Sequence, residues 1–154
     1  MVFVDALALF PVVQAAHVWE EWPQFPNWVR RFASSRYTDR EYVITHVLAI
    51  ASAVAVALVV RAFPNRPVIF AMFAFAFGPG IACNALFHVG ATMLSRHYCP
   101  GALTSIVLYV PLALWLMVLV VREGLLSPTA VAVALLVAAT VHVLEVGHNV
   151  FKRW

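Results

Sequence analysis

The sequence predicts an all-α membrane protein, a five-transmembrane-helix bundle forming a single domain over 1–154. Three observations carry the prediction. Of 154 residues, 64% are hydrophobic and only 11% charged, which is far from the balance of a soluble domain. Mean hydropathy is +0.90. The few charges gather between apolar runs of about 20 or more residues, enough helix to cross a hydrocarbon core of roughly 30 Å.

The first helix is expected at about 2–21, with Asp5 near its start and Pro11 in its middle. Asp5 stands where a signal peptide would carry basic residues, and no small-residue cleavage site follows, so the segment reads as a retained helix. The proline-rich run from Trp22 to Trp28 cannot continue it, because proline lacks the amide donor and clashes with the preceding turn. The arginine-bearing stretch after it reads as a basic loop that sets orientation, in preference to a short amphipathic helix on the membrane surface. A second helix, about 41–63, is free of Lys, Arg, Asp and Glu from Tyr42 to Val60.

The third, about 67–95, carries none of these from Pro67 to Leu94, and Gly78-Pro79-Gly80 interrupts it with an expected kink at Pro79. The fourth, about 100–122, opens on Pro100, a residue suited to a first helical turn. The fifth, about 127–151, is apolar except for His142, Glu145, His148 and Asn149.

With five crossings, Arg30, Arg31, Arg36, Arg40, Arg96, Lys152 and Arg153 fall on one face, and Arg61, Arg66 and Arg122 on the other. Basic residues accumulate in cytoplasmic loops, so the N-terminus is expected outside and the C-terminus in the cytoplasm. Trp19, Trp22, Trp28 and Trp154 would form the aromatic belt of the cytoplasmic interface. The arginines follow no nucleic-acid pattern, and no nucleic-acid partner is expected. Cys83 and Cys99 form no CxxC pair and read as packing thiols, neither disulfide partners nor metal ligands.

The polar residues are the informative minority. All six histidines (His17, His46, His88, His97, His142 and His148) fall on the predicted cytoplasmic side, with Glu20, Glu21 and Glu145 beside three of them. At about 1.5 Å per residue, His17, His46, His88 and His142 lie roughly 7–15 Å inside that interface. His17, Glu20 and Glu21 share one helical face, as do Asn84 with His88, and His142 with Glu145, His148 and Asn149. An unpaired ionisable group in lipid costs several kcal/mol. His17, Glu20, His88, His142, Glu145 and His148 are therefore the expected ligands of one or two transition-metal ions. Glu21 is the expected proton-moving residue. Asn84, His46, Tyr98, Thr104 and Asn149 are expected around the ligands or the substrate, and His97 at a solvated loop.

His17-Val18-Trp19-Glu20-Glu21 resembles the signature of the HXXEE-domain membrane proteins, a bacterial family named for that motif. Asn84-Ala85-Leu86-Phe87-His88 is similar to the family's NxxxH element. The stretch Tyr98-x-Pro100-Gly101-x-x-Thr104 and the His142–His148 cluster are also similar. The resemblance implies an integral protein of the bacterial inner (plasma) membrane and supports the choice of residues, without supplying a reaction.

Imidazole and carboxylate without thiolate suit iron, zinc or manganese. The function expected is thus a metal-dependent membrane enzyme acting on a lipid or other hydrophobic substrate. Six ligands exceed one four-coordinate metal and suggest two, as related Glu-x-x-His pairs hold in helix bundles. An oxidative dinuclear site is slightly preferred to a hydrolytic zinc site, because the carboxylates outnumber what a His-rich zinc hydrolase needs. The alternative is a small metal-ion or proton transporter or sensor, which at this size would work as a homo-oligomer.

Overall fold

A computed structural model describes residues 2–151. The expected basic tail at Lys152 and Arg153, and Trp154, lie outside them, as do the side chains of Pro79 and Asn149. The described chain is helical, without strands. The helices are α1 (Val2–Leu7), α2 (Phe10–Glu21), α3 (Gln24–Phe32), α4 (Asp39–Ala62), α5 (Arg66–Phe75), α6 (Ala82–Ser95), α7 (Ala102–Thr104), α8 (Val110–Arg122) and α9 (Pro128–Asn149). Two π-helical turns, Ala76–Gly80 and Ser105–Tyr109, join α5 to α6 and α7 to α8.

Among the described residues, four helical stretches are long and apolar enough to cross a membrane: Val2–Glu21, Asp39–Ala62, Ala102–Arg122 and Pro128–His148. The expected five continuous helices become four. The run expected at about 67–95 is divided into α5 and α6 by the π turn and Ile81, whose φ of −129° leaves the helical region. The reason lies in Gly78-Pro79-Gly80: proline removes an amide donor and two glycines lower the cost of a distorted turn. Pro11 acts more gently, sitting in the first turn of α2 after a short break at Ala8–Leu9.

The stretch read as a basic loop is α3, a helix with Phe25, Pro26 and Val29 buried and Arg30 and Arg31 in its last turn. Arg30 reaches Asp39 Oδ1 at 2.8 Å and Asn27 Oδ1 at 2.7 Å. That ties α3 to the start of α4, where Thr38 and Glu41 form a reciprocal cap.

The outer surface is apolar. Val47, Leu48, Leu58, Leu86, Met93, Leu94, Leu136 and Val143 are all exposed, a surface that belongs in lipid rather than water. The chain is a membrane protein. Inside, Ala53, Ala74, Ala76, Ala85, Ala113, Ala134 and Ala138 are buried; small residues let helix backbones approach where lipid removes the hydrophobic driving force. The core has two parts. A large one runs from Phe3 and Leu7 through Phe73 and Phe77 to Leu116. A smaller aromatic one gathers Phe25, Val29, Tyr37, Tyr42 and Cys99. Gln14, His17, Glu21 and His88 are buried outside both, and ring contacts from His17 to Tyr109 and from His88 to Phe25 bridge the two.

Candidate metal centre

Helical spacing of three, then four, residues puts Gln14, His17 and Glu21 on one face of α2, and all three are buried. Glu21 is the centre of the cluster. Its Oε1 lies 3.2 Å from His88 Nε2 and 3.6 Å from His17 Nε2, and its Oε2 lies 2.7 Å from His46 Nε2. Tyr42 donates its hydroxyl to the same Oε2 at 3.2 Å, and lies 3.1 Å from the Val18 carbonyl.

The far nitrogens of the three rings decide what the near ones can do. The Thr104 hydroxyl lies 3.2 Å from the Gly101 carbonyl and 2.8 Å from His17 Nδ1. The hydroxyl can give its hydrogen to that carbonyl and accept from His17 Nδ1, and that tautomer leaves His17 Nε2 without a hydrogen. His17 Nε2 then presents a bare lone pair. It is buried, has no hydrogen-bond partner, and 3.6 Å to Glu21 is too long for one. His88 Nδ1 faces Cys99 Sγ at 3.4 Å, and its Nε2 is turned to Glu21 Oε1. His46 Nδ1 donates to the Tyr42 carbonyl at 2.7 Å.

Two ring nitrogens and a carboxylate oxygen therefore converge, and His17 Nε2 among them has no hydrogen-bond partner. The ligand atoms of His17, Glu21 and His88 all lie within 4.8 Å of one another. A cation at their centre would satisfy such a trio in a buried site. Pinning the outer ring nitrogen while the inner one faces the centre is how metal-binding histidines are oriented. Glu21 Oε2 faces His46 with a proton necessarily between them, because two lone pairs at 2.7 Å would repel.

The 98–104 stretch closes over the rings. A Cβ on Gly101 would lie 2.7 Å from His17 Cε1 and 2.8 Å from His88 Cε1 and Nδ1, and Gly101 has φ +96°. Only glycine fits there. Tyr109, in the adjoining π turn, stacks on His17 at 4.4 Å between centroids and donates to Gln14 Oε1 at 2.7 Å. Burial, then the carboxylates of Glu21 and Glu20, push the Cys99 thiol well above its ordinary range. Burial, then the bond to Glu20, pushes the Tyr98 hydroxyl up to about 12.

The geometry sorts the residues singled out in the sequence. His17 and His88 meet, but with Glu21 rather than Glu20. Glu20 turns away and accepts from the backbone amides of Gly101 (3.0 Å), Leu103 (3.1 Å) and Thr104 (2.6 Å) and from the Tyr98 hydroxyl. The cause is where the 98–104 stretch lies: its amides meet the carboxylate of Glu20, while Glu21, one residue on along α2, meets the histidines.

A cavity of about 70 Å³ adjoins the trio, lined in part by Glu21, His46, Asn84, His88, His142 and Glu145. His142 Nδ1 and Glu145 Oε2 are 3.5 Å apart without a hydrogen bond. His148 is exposed and lines no part of this cavity. His97 is exposed, bonded to Ser95. Cys83 and Cys99 are both free thiols. Sequence reasoning passed over Gln14 and Tyr42. Gln14 could have been found from its spacing, three residues before His17 on the same face; nothing in the sequence marks Tyr42.

A family model described as protein of unknown function with HXXEE motif matches residues 8–116, a range that holds the His17–Glu21 motif, His46, His88 and the whole 98–104 stretch. No curated protein and no solved structure matches the chain.

Proposed function

The chain belongs to the family of proteins of unknown function with the HXXEE motif, and we propose that it is a metal-dependent membrane enzyme acting on a lipid or other hydrophobic substrate. His17 Nε2, His88 Nε2 and a Glu21 oxygen would hold a transition-metal ion: zinc, iron or manganese. Two imidazoles and one carboxylate leave coordination positions open, as catalytic sites require. The observation that carries the reading is the buried, unpartnered His17 Nε2 aimed at Glu21 and His88. His142 and Glu145, whose Nδ1, Nε2 and Oε2 atoms are buried without hydrogen bonds, line the same cavity and would complete a second cation position in a dinuclear site.

When bound, the metal would supply Lewis-acid or redox chemistry. The chain's own contribution is a proton relay. His46, sharing a proton with Glu21 and anchored by the Tyr42 carbonyl, can take up or release one at the cavity wall. The hydrophobic substrate is supported by an apolar groove of about 620 Å³ between α6 and α9, lined by Cys83, Leu86, Val143 and Phe151. Phe87, His142 and Val146 belong to both groove and cavity, so an apolar chain entering from the bilayer would bring its reactive end to the trio. The divided helix from Arg66 to Ser95 would supply a fifth crossing, with the N-terminus outside and the cytoplasm on the side of the metal centre.

The test is metal content. Purified protein in detergent should retain or rebind about one to two equivalents of zinc, iron or manganese. His17→Ala, Glu21→Ala and His88→Ala should each abolish tight binding, while His97→Ala leaves it unchanged. Unmodified protein that binds none of these ions would refute the proposal.

A further inference from the structure

We infer that Glu20, the first glutamate of the motif, is a positioning residue that fastens the 98–104 stretch across the two histidines, and does not itself touch the metal. The inference rests on the metal-binding reading of His17, Glu21 and His88 and adds to it how the trio is kept in shape.

The helix that begins at Ala102 has Gly101 as its cap residue, at φ +96° and with no side chain to bond the first-turn amides. The first amides of any helix need acceptors, normally from a Ser, Thr, Asp or Asn side chain at the cap. None of those residues fits here, because a Cβ at 101 would collide with the rings of both His17 and His88. The stretch thus gives up its own cap in order to lie against the histidines. Glu20 supplies the missing acceptor from 81 residues earlier in the chain. Its two oxygens take the amides of Gly101, Leu103 and Thr104, and Tyr98 adds its hydroxyl. Ionised carboxylate on first-turn amides is a strong, charge-assisted arrangement.

The consequence reaches the metal site through two residues. Thr104, held by Glu20 through its amide, holds His17 Nδ1 through its hydroxyl. Gly101, held by Glu20 through its amide, backs both rings. The adjacent glutamates of the motif thus divide the work: Glu21 faces the cation and Glu20 fixes the histidines that share it.

Cobalt(II) titration of the purified full chain, followed by its ligand-field absorption, tests this. Glu20→Gln should weaken cobalt binding by about 10–100-fold, while the saturated spectrum keeps the coordination of the unmodified protein. Thr104→Val should show a similar loss and Thr104→Ser should restore binding. The double variant Glu20→Gln/Thr104→Val should lose less than the product of the two single losses, because part of the hold of Glu20 passes through Thr104. Unchanged affinity in Glu20→Gln, a spectrum that has lost an oxygen ligand, or losses that multiply would each overturn the inference. If Glu20→Gln fails to fold, the Thr104 pair decides, and equal affinity in Val and Ser overturns it. Absence of cobalt binding in the unmodified chain overturns the metal reading itself, a result distinct from all of these.

Discussion

Replacing Gly101 by alanine probes the closest approach to the histidine rings, and the structure sets its size. The added methyl meets His17 Cε1 at 2.7 Å and His88 Cε1 and Nδ1 at 2.8 Å, distances that real Cβ atoms do not tolerate. The backbone at φ +96° adds strain of about 1–3 kcal/mol for a residue with a side chain. Crowding a packed interior adds about 1–3 kcal/mol more, so the expected loss is roughly 2–6 kcal/mol. The rings cannot yield freely, since Thr104 holds one and Cys99 with Pro100 the other. Gly90→Ala is the control. Gly90 lies inside α6, where an added methyl would meet nothing within 4 Å, and alanine there should stabilise by about 0.5–1 kcal/mol. Unfolding of both variants in detergent micelles, with cobalt titration alongside, gives the comparison. Gly101→Ala should be destabilised and bind metal weakly, while Gly90→Ala should be at least as stable as the unmodified chain. A Gly101→Ala protein equal to the unmodified one in stability and metal affinity would show that this stretch does not lie on the histidines.

Two further outcomes are expected. Maleimide should label half-buried Cys83 in the folded protein and reach Cys99 only after unfolding. Because the Cys99 pKa is raised, its thiol stays neutral as pH passes the ordinary cysteine value of about 8.5, so raising the pH to that value should not open it; equal labelling rates would contradict the burial. For orientation, reporter fusions after Trp154 should report a cytoplasmic location and fusions between Arg61 and Arg66 an external one, and the reverse pattern would invert the assignment.

Fold class was legible in the sequence because a membrane imposes it. Apolar runs of spanning length must be helical when no water can satisfy the backbone, and α4, the Ala102–Arg122 stretch and α9 follow those runs closely. The break between α5 and α6 was legible as a kink at Gly78-Pro79-Gly80, but its extent depends on how the π turn packs against its neighbours. The histidines of the site were legible as well, since ionisable groups in lipid demand a reason. Helical angle alone could not assign the two glutamates: Glu20 and Glu21 share a face on paper, and only the position of the 98–104 stretch, distant in sequence, decides which one turns to backbone amides and which to His17, His46 and His88. The same holds for Tyr42, whose role exists only because α4 packs on α2. Sequence determined the helical class and that His17 and His88 needed partners; tertiary structure chose those partners, left His148 exposed and brought in Gln14 and Tyr42, because a hydrogen bond or a coordination site depends on distances of a few tenths of an ångström between segments that the chain order leaves far apart.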